Sequence, residues 1–568
     1  MRKFIARLYP AQDKTKVTTR FPVPIATVLI SMLCVSFISL YIRLFFGVNL
    51  FDEMYVHATA YRIFLGDLPF YAELNIAQSS SLLLVPFYQM LDKALGNTDG
   101  IVLISRTFFL GFVFIIYWRC THWFQSRLSL TLAMLVCLPI LSYSPTYTYD
   151  IFYKTISPLL YCFGLVALSF APSRTSHVWS GISLSIATFI NGAFFPIWCL
   201  VLWMARSKRH YAVSAILTGS VLALFLWGWV GNEGLTNIWN YHLQRGSSLL
   251  TFSERLRAAF LQFTTAHFLK KIIWIAMGFG ILTIIGKKRF LPWVLPALFL
   301  IPLWLGQGVG GYALYLISLG PILYLLNRQD REYRSAFKYL WFSAVFGAFW
   351  TSILTDSGIP NSSIALLPAI LSVVFGVALQ IKTIRGFNQN FALIITMVIP
   401  TLFFCYSLTQ PEPWHTEPLN TRISKGPLKG IWSSHKQVDC LMQLDNDIKQ
   451  NSDETTRGLI YGACSPTSYF SFHRPPLASS VWRCDQQQPS CLRRFERQSK
   501  PGDLIILSLR EVTCMEGSPY NKYDHSDPFF KKINETFLLV EKRSEYKIFK
   551  RTNLPSNPKG NFKLSRLK

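Results

Sequence analysis

Two adjacent carboxylates, Asp52 and Glu53, stand directly after a long apolar run, in N-L-F-D-E-M-Y-V-H-A-T-A-Y-R-I-F-L-G-D-L-P-F at residues 49–70. The run before them, from about Phe21 to Gly47, is long enough to cross a bilayer. The acids therefore sit where a membrane helix ends, and two roles are open to them there. One is capping, because negative charge is stabilised at a helix N-terminus. The other is chemistry. Ionisable groups are costly at the hydrocarbon boundary and are usually functional, and a carboxylate can act as a general base.

Periodicity gives the elements that must hold this pair. Met54, Ala58, Tyr61 and Leu65 form one apolar stripe at helical spacing, with Asp52, Tyr55, Thr59 and Arg62 on the other face. Gly66-Asp67-Leu68-Pro69 ends the pattern as a glycine cap followed by proline does. This predicts an amphipathic helix lying in the membrane interface. The run before it is too long for a signal-peptide core and lacks an A-x-A cleavage site, so it reads as an uncleaved first transmembrane helix.

Further apolar runs lie near 101–118, 129–144, 156–172, 177–190, 192–205, 210–231, 271–286, 289–306, 309–327, 337–354, 363–382 and 391–408. Together they predict a polytopic α-helical membrane protein of about thirteen spans. The connections W-R-C-T-H-W-F-Q-S-R, A-P-S-R, A-R-S-K-R-H, G-K-K-R, N-R-Q-D-R-E-Y-R and I-K-T-I-R all carry Lys or Arg and fall on one side. By the positive-inside rule that side is cytoplasmic, together with the basic N-terminus, residues 1–20. Asp52, Glu53, Asp67, Glu73, Asp92, Asp99, Asp150, Glu233, Glu254 and Asp356 then fall outside, while Asp13, Asp330 and Glu332 fall inside.

Composition agrees. The 568-residue chain is 51% hydrophobic and only 15% charged, against about a quarter charged in a soluble domain. The net charge of +26 is read as loop Lys and Arg, and no nucleic-acid-binding motif accompanies it. No P-loop or G-x-S-x-G stretch supports ATP use or serine hydrolysis.

Residues 409–555 differ in kind. They are polar, with strand-like stretches R-G-L-I-Y-G-A, D-L-I-I-L-S-L, T-F-L-L-V-E-K and Y-K-I-F-K-R, and predict a small α/β domain. An odd number of spans places it outside, in the periplasm of a bacterial cell. Cys440, Cys464, Cys484, Cys491 and Cys514 lie there, and Cys484 and Cys491 flank a loop suited to one bridge. Residues 556–568 form a basic tail. The sequons at Asn361 and Asn534 keep a eukaryotic origin open.

F-D-E-M-Y-V-H-A-T-A-Y-R-I-F-L-G-D-L-P-F-Y resembles the first external loop of the polytopic GT-C glycosyltransferases that use polyprenyl-phosphate sugars. S-G-I-S-L-S-I-A-T-F-I-N-G-A-F-F-P resembles the family's Gly-rich helix, in which a Lys is common at the position of Asn191. L-I-Y-G-A-C-S-P-T-S-Y-F-S-F-H-R-P-P-L resembles a strand and turn of its external domain. The layout resembles the aminoarabinose and protein O-mannosyl transferase branch. The loop N-I-A-Q-S-S-S, 75–81, lacks the Pro-Pro common there, and the acceptor class stays open.

The resemblance implies an inner-membrane hexosyl- or pentosyltransferase that moves a sugar from a polyprenyl-phosphate carrier to a lipid, glycan or protein with inversion. It implies a transmembrane domain over 21–408 with catalytic external loops at 48–100, 145–155 and 232–270. Asp52 becomes the candidate base and Glu53 the residue orienting the acceptor or the helix. The leaving phosphate needs cations, and the external basic candidates are Lys154, Arg62 and Arg245. Tyr55, Tyr149, Asp150, His242 and Glu73 are candidate substrate contacts. The chemistry requires no cofactor, and nothing in the sequence argues for a divalent cation. The competing class is a transporter or lipid flippase with an external domain, which would place charges at mid-membrane and show related halves.

Overall fold

The computed structural model describes residues 24–50, 52–69, 79–144, 149–170, 173–205, 208–248, 253, 254, 256, 257, 261, 316–354, 364–382, 387–409, 417–461, 466–475, 499–509, 514, 533 and 536–552. The spans expected at 271–286 and 289–306 lie outside these residues, as do Glu73, Cys464, Cys484 and Cys491.

The first apolar run is helix α1, Pro24–Phe45. Helix α2, Asp52–Phe64, follows. Gly66, at φ +94°, ends it, a conformation glycine adopts without the penalty a Cβ incurs. Then come α3 (Val85–Leu95), α4 (Ile101–Phe124), α5 (Leu130–Ser142), α6 (Tyr153–Phe170) and α7 (Arg174–Ile190). Asn191 breaks the chain in extended conformation, and its side chain accepts from the Ala193 amide. A short 3-10 turn leads into α8, Phe195–Met204.

At about 1.5 Å per residue α8 spans roughly 15 Å, half the hydrocarbon thickness, so it is too short to cross alone. The spans expected at 177–190 and 192–205 correspond to α7 and to the apolar helical stretch Gly192–Met204, both shorter than the four long apolar helices named below. Helix α9, Arg209–Ser248, then runs beside α7 in the same direction: Gly181 meets Tyr211 and Ser214, and Ser185 Oγ donates to the Ala215 carbonyl at 2.8 Å. Close approach of small residues is how helices pack in lipid.

The bundle is completed by α10 (Gly320–Leu326), α11 (Arg331–Ala336), a π-helical turn over Phe337–Phe342, α12 (Ser343–Leu354), α13 (Leu367–Lys382) and α14 (Phe387–Thr409). Among the described residues four helical stretches are long and apolar enough to cross a membrane: Ala26–Phe45, Ile101–Phe124, Tyr153–Phe170 and Arg209–Thr236.

The remainder holds strands β1 (Thr421–Arg422) and β2 (Trp432–Ser433), helix α15 (His435–Asn451), and strands β3 (Gly458–Tyr461), β4 (Leu504–Ser508), β5 (Phe537–Lys542) and β6 (Tyr546–Arg551). The larger sheet has order β3-β4-β6-β5, with β3 parallel to β4 and the other pairs antiparallel. Leu504, Ile505, Ile506 and Leu507 are all buried, so the unbroken apolar run of β4 matches a strand covered on both faces. A disulfide joins Cys440 on α15 to Cys514.

This unit sits on α2. Gly47 N–H donates to the Trp432 carbonyl at 2.9 Å, and Tyr61 Oη donates to the Phe472 carbonyl at 3.1 Å. Asp99 accepts from Gly426 N–H at 3.0 Å. Every residue from Glu53 to Arg62 is buried as a result. The expected interfacial helix with one open face is corrected: α2 is roofed by the outer unit and touches protein on all sides.

Candidate active site

The start of α2 is fixed by Asn49. Its side-chain oxygen accepts from the Asp52 amide at 2.6 Å, and its own amide donates to Glu53 Oε2 at 3.1 Å. This reciprocal arrangement satisfies free N–H groups at the helix start, as a capping box does. Asp52 is therefore not needed as the cap.

Successive helical side chains diverge by about 100°, and the two acids meet different partners. Glu53 turns inward to Arg106 of α4, and neither side chain is exposed. Arg106 Nε donates to Glu53 Oε1 at 2.7 Å and Nη2 donates to Oε2 at 2.8 Å. Its remaining donors reach the carbonyls of Arg43, Leu44 and Gly47 at 2.9–3.1 Å, so all five are used. Burial pushes the Glu53 pKa up, but the Arg106 guanidinium outweighs it and holds the carboxyl below the ordinary range. Glu53 staples α2 to α4 and to the C-terminus of α1, and it is closed to a substrate.

Asp52 turns toward Lys154, the second residue of α6, whose Nζ donates to Oδ2 at 3.1 Å. Each side chain keeps about a seventh of its surface exposed, 14% for Asp52 and 15% for Lys154. Asp52 Oδ1 is buried and has no hydrogen-bond partner among the described residues. Lys154 lies over the rings of Phe152 and Tyr153, with its Nζ 5.7 and 5.5 Å from their centroids.

Lys154 also lines a small cavity of about 20 Å³ that carries both polar and apolar groups. Tyr149, Ser144 and Thr155 supply polar groups, and Phe109, Val113, Ile140, Leu159 and Leu367 are apolar. The Tyr149 hydroxyl has no partner among the described residues. Burial raises its pKa, so it stays a donor. At that volume the cavity admits about one water, so a larger anion enters only if its walls part.

No family model matches the sequence, and no curated protein matches it. Among solved structures the chain is similar to ArnT from Cupriavidus metallidurans in the apo state and to the same protein bound to undecaprenyl phosphate. Identities are 10% and 11%, each TM-score is 0.46, and each alignment covers 92% of this chain and 97% of that one.

The other candidates divide. Arg62 is buried, and its Nε donates to Asp67 at 2.8 Å, so it closes the end of α2 and does not reach the cavity. Tyr55 is fully buried within α2. Asp150 is buried too, but it binds protein: His57 Nε2 lies 2.6 Å from Oδ2, and Ser105 Oγ and the Ile151 amide donate to Oδ1. Its expected substrate contact is corrected to a structural one. His242 and Arg245 fall on the last turns of α9, which continues as helix beyond the break at Gly231, so that part of the expected loop is helical.

Sequence reasoning passed over Arg106, His57, Ser105 and Tyr88. Arg106 carried a readable signal: a lone arginine in I-V-L-I-S-R-T-F-F-L must find a partner inside a membrane helix. His57 carried none beyond its place on α2.

Proposed function

We propose that the chain is a membrane glycosyltransferase that moves a sugar from a polyprenyl-phosphate carrier to a hydroxyl or amine acceptor. The reading rests on one observation. Asp52, with one oxygen unpartnered among the described residues, is paired to Lys154, and Lys154 lines a small cavity that carries both polar and apolar groups.

On carrier binding the cavity widens: the isoprenoid lies against Phe109, Val113 and Leu159, and the phosphate takes the Lys154 ammonium and the Tyr149 hydroxyl. Phosphate binding draws Lys154 from Asp52 and frees the carboxylate. Asp52 then accepts the proton of the acceptor as the acceptor attacks the anomeric carbon. The bond from that carbon to the phosphate oxygen breaks, and the polyprenyl phosphate leaves with its charge held by Lys154. One displacement from the face opposite the phosphate inverts the anomeric centre. Glu53 takes no part in proton transfer, because its ion pair with Arg106 is sealed.

We place this site on the external face of a bacterial inner membrane, with the outer unit periplasmic. The Cys440–Cys514 disulfide favours an oxidising compartment for that unit.

Undecaprenyl phosphate alone tests the carrier site. It should raise the thermal midpoint of the detergent-purified protein. Lys154→Ala should weaken its binding by about 1.5–3 kcal/mol, the usual worth of a charge-assisted hydrogen bond. Equal protection of wild type and variant would remove Lys154 from the site.

A further inference from the structure

We propose that His57 is a positioning residue: through its buried contact to Asp150 it sets the placement of Lys154 against Asp52. The proposal rests on the reading of Asp52 and Lys154 given above.

Two short segments face each other. Helix α2 carries Asp52 and His57, and the turn entering α6 carries Asp150 and Lys154. They are joined at two points of opposite sense. The acid of α2 meets the base of the turn in Asp52–Lys154, at 3.1 Å, and the imidazole of α2 meets the acid of the turn in His57–Asp150, at 2.6 Å. The first pair has Lys154 on the cavity wall and must part when a phosphate takes the ammonium, so it cannot hold the segments through the reaction. The second is 1% and 2% exposed. It is the pair able to fix the spacing.

The turn is stiff enough to carry that constraint over four residues. Thr155 Oγ1 accepts from the Phe152 amide at 3.2 Å and lies 2.8 Å from its carbonyl, and Asp150 Oδ1 accepts from the Ile151 amide at 2.6 Å. Ser105 ties the same carboxylate to α4, next to the Arg106 that holds Glu53. On the far side His57 Nδ1 lies 3.2 Å from the hydroxyl of Tyr88, which is fully buried. His57 is sealed and does not line the cavity described above. Its influence passes through Asp150.

Amide replacements separate the two ring nitrogens. His57→Gln puts an amide nitrogen near the position of Nε2 and keeps a donor to Asp150. His57→Asn reaches only toward Nδ1 and Tyr88. Both are assayed by release of undecaprenyl phosphate from a panel of undecaprenyl-phosphate hexoses and pentoses, with a membrane extract as acceptor. His57→Asn should lower kcat by up to about a hundredfold, the scale of an ångström-sized misplacement, and raise the KM for the donor, because the displaced Lys154 is the donor-phosphate contact. His57→Gln should retain most of the rate. Asp150→Asn, which keeps the size, should repeat the loss.

In an Asp52→Asn background His57→Asn should cost less than in wild type, because the base is gone and only the Lys154 contact to the phosphate is left to position. Equal rates in the Gln and Asn variants, or an undiminished His57→Asn loss in the Asp52→Asn background, would overturn the proposal. Loss in Asp52→Asn with none in folded His57→Asn overturns the positioning role alone. Wild-type rate in Asp52→Asn overturns the underlying reading instead.

Discussion

Neighbouring acids on a helix need not share an environment, and at the residue scale this separates Asp52 from Glu53. Glu53 is an ion pair with no exposed surface, and breaking such a pair by removing one partner costs about 3–5 kcal/mol. Glu53→Gln keeps the size and loses the charge, so a drop of that order should appear in denaturant or thermal unfolding. The pH dependence has a definite sign. The folded-state pKa of Glu53 lies below its ordinary 4.5, so its contribution is fully present above that value and is lost as pH falls through the folded value. The wild-type melting temperature should therefore fall more steeply with acid than that of Glu53→Gln; parallel curves would contradict this account of Glu53. The acidic pair was legible in the sequence, and its partners were not. Arg106, Lys154 and Asp150 lie 53, 102 and 93 residues along the chain from Glu53, Asp52 and His57. Spacing along one helix gives a face, and only the fold says what that face meets.

At the scale of elements, local signals were reliable where backbone chemistry decides. The end of α2 at Gly66, the long apolar α1 and the uninterrupted apolar strand β4 all follow from short stretches of sequence. What local pattern missed was burial. The stripe of Met54, Ala58, Tyr61 and Leu65 reads as a helix with one wet face, yet Tyr55, Thr59 and Arg62 of the opposite face are buried too, and Tyr61 touches Phe470 at a ring distance of 5.0 Å and donates to Phe472, both in the outer unit. Burial, with Asp92 nearby, pushes the Tyr61 hydroxyl up to about 12, so it remains a donor at neutral pH. The S-G-I-S-L-S stretch of α7 packs closely on both sides. Ser180 donates to the Gly164 carbonyl at 2.6 Å, and a Cβ at Gly181 would lie 2.7 Å from the Ala215 nitrogen and the Tyr211 carbonyl oxygen, both backbone. Gly181→Val should force α7 and α9 apart and destabilise the protein by about 1–3 kcal/mol or more, read as a lower thermal midpoint. An unchanged midpoint would mean the crossing is looser than this packing.

Over the whole molecule, the contacts sort the loops. Gly47, Tyr61 and Asp99 bind the outer unit, and Asp52 meets Lys154, so these segments share one face. Arg127 and Glu332, from two of the basic connections, pair with each other. Ionisable pairs of the described residues around α2 therefore gather beneath the outer unit. The proposed reaction uses this gathering, with Asp52 for the acceptor's proton and Lys154 for the lipid phosphate. The most direct measurement is release of undecaprenyl phosphate from undecaprenyl-phosphate sugars by wild-type and Asp52→Asn proteins, compared in one detergent preparation. The account predicts turnover by wild type and a loss of about 10²–10⁴-fold in the folded variant. A folded Asp52→Asn protein that turns over at the wild-type rate would contradict it.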